Sequence, residues 1–88
     1  MEIEFDPDKN ERNKAVRGFG FDRVADFDFD TALIQIDDRR DYGELRYTAL
    51  GLIEGRIYAL VFKETDPGIR VISFRKANRR EVRKYAQS

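Results

Sequence analysis

Leu45-Arg-Tyr-Thr-Ala-Leu-Gly-Leu-Ile53, then Glu54-Gly55, then Arg56-Ile-Tyr-Ala-Leu-Val-Phe-Lys63, is the stretch on which the fold turns. Two strand-like runs flank Glu54-Gly55, a strong two-residue hairpin signal. The second run is apolar at successive positions, so both of its faces are expected to be covered, as in a central strand. Working outward, Asp66-Pro67-Gly68 is a turn and Ile69–Phe74 the next strand. Upstream, Thr31–Asp37 reads as a strand and residues 37–43 as a charged turn. Short connections between neighbouring strands imply an antiparallel meander.

The flanks read as helices. Asp6 is placed as an N-cap with Pro7 at the first helical position, opening a strongly polar helix that Gly18 and Gly20 stop near Val16. Phe21–Ala25 predicts a second short helix, and Glu2–Phe5 a short edge strand. Phe19, Phe21, Phe27 and Phe29 are assigned to packing under the sheet, as are Tyr47 and Tyr58. At the other end, Asn78 and Glu81 have capping-box spacing. Val82, Tyr85 and Ala86 share one face of the helix that follows, which is expected to lie on the sheet. The expected class is α+β: short N-terminal helices, a four- to five-stranded antiparallel sheet and a C-terminal helix. With 88 residues, one domain over 1–88 is expected.

Composition limits the chemistry. The chain has no histidine and no cysteine, so the commonest general base, the commonest metal ligand and thiolate chemistry are excluded. No metal site and no cofactor are expected. No apolar run approaches membrane-spanning length, and a cytoplasmic protein is expected. The zero net charge hides a segregation. Residues 70–88 carry seven cations and one acid, a net of +6 that the first 69 residues balance with −6. Most of those cations are Arg, the residue best shaped to grip phosphate. An anion site is therefore expected where Arg75 and Lys76 meet the start of the last helix.

Three segments carry a family resemblance. They are Phe5-Asp6-Pro7-Asp8-Lys9 with Asn13 and Gly18-Phe19-Gly20-Phe21; Gly43-Glu44-Leu45-Arg46-Tyr47 with Leu50-Gly51; and Ile69-Arg-Val-Ile-Ser-Phe-Arg-Lys-Ala-Asn-Arg-Arg-Glu81 with Tyr85. Together they resemble the BrnT toxins of bacterial type II toxin–antitoxin systems. The resemblance implies a RelE-like fold, cleavage of RNA that arrests translation, and a BrnA-type ribbon-helix-helix antitoxin. It also implies a heterotetramer that reaches operator DNA only through the antitoxin. Two positions depart from the family pattern: Arg17 stands where a His is usual, and Thr65 where many members carry an Arg.

Read together, these observations give candidate residues for metal-independent RNA cleavage. Glu64 is expected as general base, with Arg75, Arg79 and Arg80 as phosphate clamps. Lys9, Arg46, Arg70 and Arg83 are expected to bind RNA, and Glu44 to pair with Arg46. The alternative is a weakened or inactive relative that only holds its antitoxin or an acidic partner.

Overall fold

The computed structural model describes residues 1–88. In chain order it contains β1 (Glu2–Glu4), α1 (Pro7–Arg17), a 3-10 helix (Phe21–Asp26), β2 (Leu33–Ile36), β3 (Tyr47–Ile53), β4 (Arg56–Glu64), β5 (Gly68–Lys76) and α2 (Arg79–Ala86). One five-stranded sheet runs β1-β5-β4-β3-β2, so β4 is central, as its two apolar faces require. At the β3–β4 turn Glu54 and Gly55 take φ of +50° and +77°, the left-handed pair that a tight hairpin demands.

Strands β2 to β5 pair antiparallel, but β1 pairs parallel with β5, so the sheet is mixed. The expectation of a purely antiparallel sheet came from the short connections, and those govern only β2 to β5. Strand β1 is separated from β5 by α1, the 3-10 helix and strands β2 to β4, and so long a connection permits a parallel pair. β2 is also shorter than expected. Asp28 accepts hydrogen bonds from the Thr31 hydroxyl at 2.7 Å and the Asp30 N–H at 3.0 Å, which holds Thr31 in a turn.

One face of the sheet carries the core. Ala49, Ile53, Tyr58, Leu60, Phe62, Val71 and Phe74 meet Phe21, Val24 and Phe27 from the 3-10 segment. Phe19 packs edge-on against Tyr58 and Phe74, and Tyr47 stacks on Phe62. Helix α1 buries no residue. It is held by polar ties instead: Asn10 Oδ1 accepts from the Phe21 N–H at 2.7 Å, and Asn13 Nδ2 donates to the Phe19 carbonyl at 3.0 Å.

Helix α2 does not dock through the face expected of it. Val82 is 40% exposed, Ala86 is exposed, and no α2 residue is buried. Its sheet-facing contacts are polar: Glu81 grips Arg75, and Lys84 donates to Gln35 Oε1 at 2.7 Å. With Glu81 tied to Arg75, the helix is set so that Lys84 reaches back to β2. The second face of the sheet is thus left largely open.

Candidate nucleic-acid interface

Side chains alternate across a strand, so Lys63 and its partner Arg70 point to the open face. There they line a cavity of about 280 Å³. Arg46, just before β3, and Lys9, on the first turn of α1, complete its basic wall; Asp6 and Glu44 are its two acids. Four cations from four separate segments therefore converge on one concavity. Glu44 accepts from Arg46 Nε at 2.8 Å and from Lys63 Nζ at 3.2 Å. Those two donors hold its carboxyl below the usual glutamate range, Arg46 contributing most. The site is thus ionised and net positive at neutral pH, a setting for a phosphate group.

The loop between β2 and β3 builds the rest. Asp37, whose side chain is 1% exposed, accepts a forked pair from Arg39 at 2.7 and 2.8 Å. The Tyr42 hydroxyl donates to it at 3.0 Å. Arg39 above all, then Tyr42, pull the Asp37 carboxyl down to about 2 against its burial. The Tyr42 ring in turn lies under the Arg46 guanidinium, 4.2 Å from the ring centroid. One buried carboxylate thereby orients Arg39 directly and Arg46 through Tyr42.

The expected site residues fall into two groups. Lys9, Arg46 and Arg70 are brought together, with Lys63, which was not singled out. Glu64 lies next to Lys63 but on the opposite face of β4, toward Tyr47, where its carboxylate holds that phenol above its ordinary range. Arg75 is engaged by Glu81 at 2.7 and 2.9 Å, which raises its basicity further and leaves its fork occupied. Arg79, Arg80 and Arg83 stand exposed on α2, outside the cavity. Thr65 closes the β4–β5 turn, its hydroxyl accepting from the Gly68 N–H at 3.3 Å. Asp37 and Tyr42 were missed because the loop reads simply as charged; the one available signal was a Tyr among paired acids and arginines.

Comparison with known protein families matches residues 5–81 to the model described as the ribonuclease toxin, BrnT, of type II toxin-antitoxin systems. The chain belongs to the BrnT family. A search of curated proteins finds no match. Family membership makes this chain a ribonuclease toxin of a type II system, with RNA as substrate class and an antitoxin as partner. In this BrnT-family chain the matched span includes every wall of the basic cavity, from Asp6 to Ile72. No helix is long and apolar enough to cross a membrane.

Proposed function

We propose that this toxin cuts RNA at the cavity lined by Lys9, Arg46, Lys63 and Arg70, without a metal ion, in the bacterial cytoplasm. The convergence of those four cations carries the reading. Attack by the RNA's own 2′-hydroxyl on the neighbouring phosphate builds negative charge on the phosphoryl oxygens. Arg46 and Arg70 stabilise that charge, Arg46 from a position fixed by Tyr42. Glu44, the carboxylate held between Arg46 and Lys63, takes the hydroxyl proton in place of Glu64, and Lys9 or Lys63 returns a proton to the leaving oxygen. Arg79, Arg80 and Arg83 serve the flanking strand, with Arg75 holding α2 in place through Glu81. A BrnA-type ribbon-helix-helix antitoxin covers the cavity in a heterotetramer and carries the pair to operator DNA.

The test is expression with and without the neighbouring gene, followed by purified-protein assays on RNA. Arg70→Ala and Arg46→Ala should each abolish growth arrest and slow cleavage by about 100-fold or more. If both variants still cut, while Arg79→Ala with Arg80→Ala does not, the site lies on α2. A second reading is a chain that binds its antitoxin but cleaves poorly. It is favoured by the depressed pKa of Glu44, which makes that group a weak proton acceptor. Wild-type protein that leaves RNA intact yet captures the antitoxin would establish it.

A further inference from the structure

The open face has a second concavity beside the first. It measures about 290 Å³ and lies between β2, the centre of the sheet and α2. Its floor is apolar, formed by Leu50, Ala59 and Val61, and its rim is polar, with Gln35, Arg39 and Thr48. Gln35 gives its carbonyl oxygen to Lys84 and keeps its amide N–H groups for a ligand. Arg39 uses Nε and one terminal nitrogen on Asp37, which leaves the other terminal nitrogen to donate elsewhere.

We propose that this concavity is a nucleobase subsite, taking one base of single-stranded RNA beside the phosphate held at Arg46 and Lys63. The proposal rests on the ribonuclease reading above. Three observations support it. Val61 in this floor and Lys63 in the basic cavity are on the same face of β4, two residues and so about 7 Å apart. Adjacent sites at that spacing suit a base and the phosphate next to it. An apolar floor with a few donors on its rim is how single-stranded RNA bases are held, their flat faces on carbon and their edges on hydrogen bonds. Its volume, near the lower end of the roughly 300–1,000 Å³ of small-molecule pockets, suits a single ring system. The charged groups of its lining balance, Arg39, Arg75 and Lys84 against Asp37, Asp38 and Glu81, so the phosphate belongs to the basic cavity next door.

The experiment measures anisotropy of fluorescein-labelled, uncleavable 2′-O-methyl hexanucleotides of A, C, G and U, and of an abasic hexamer, on the purified toxin. At least one base should bind about tenfold tighter than the abasic strand. Gln35→Ala and Thr48→Val, both at positions that are not buried, should cut that advantage about fivefold or more. Arg70→Ala should weaken all five probes alike. Equal binding of abasic and base-bearing strands overturns the subsite, as does an unchanged preference in both rim variants that circular dichroism shows to be folded. Loss of antitoxin capture in those variants, with RNA binding intact, would give the concavity to the protein partner. If no probe binds and no RNA is cut, the ribonuclease reading falls and the subsite with it.

Discussion

Asp37 shows how one side chain sets the geometry of several others. Its carboxyl falls from an ordinary 3.8 to about 2 because Arg39, Tyr42 and a backbone N–H all donate to it. A carboxyl depressed on folding stabilises the native state above about pH 4, and that contribution fades as pH drops toward 2. The size is at most about 2 kcal/mol, since Arg39 is itself 66% exposed. Asp37→Asn should lower stability by that order at pH 7 and flatten the pH dependence between 4 and 2, read by urea unfolding across pH. An unchanged acid slope would show that the pair is solvent-screened. At the cavity, Arg70→Ala should reduce the slope of log affinity for RNA against log salt by nearly one unit for each lost phosphate contact. The sequence alone marked Lys9, Arg46 and Arg70 but not Asp37, because burial of an acid is decided by segments far from it. The partner of Arg75 was hidden for the same reason: Glu81 also matches a cap, and nothing local shows that one carboxylate serves both.

At the scale of elements, the strands were legible and the helix contacts were not. Period-two apolarity and the Glu54-Gly55 turn report directly on a sheet, whereas a polar helix is held by a few hydrogen bonds that leave no pattern. Helix α1 illustrates this. Asn10→Ala strips the Phe21 N–H of its acceptor and should cost about 1–2 kcal/mol, measurable as a drop in Tm. Gly51 lies beneath the Phe27 ring, where an added Cβ would come within 2.4 Å of Cζ. Gly51→Ala should therefore destabilise by about 1–3 kcal/mol, and a Tm equal to wild type would mean that the 3-10 segment gives way freely. Helix α2 depends on Arg75–Glu81 and Lys84–Gln35, so Glu81→Ala should speed amide exchange in residues 79–86 while β3 to β5 stay protected.

For the whole molecule, the segregated charge of the sequence turned out to be a poor map of the surface. The basic cavity draws Lys9, Arg46 and Lys63 from the part of the chain that is acidic in sum, and only Arg70 from the basic end. Folding regroups charges that the linear order keeps apart. The parallel pairing of β1 with β5 has a further consequence, one of timing. Glu2, Ile3 and Glu4 find their partners at Gly68, Ile69 and Arg70, so β1 waits for residues made 66 positions later (68 − 2). Gly68 lies so close to the Glu2 carbonyl that an added Cβ would fall 1.8 Å from its oxygen, which leaves no slack in that join. Lys9 and Arg70 consequently cannot face each other until translation has passed β5. With cleavage placed at that cavity, as proposed above, a nascent chain stalled before residue 68 should cut no RNA.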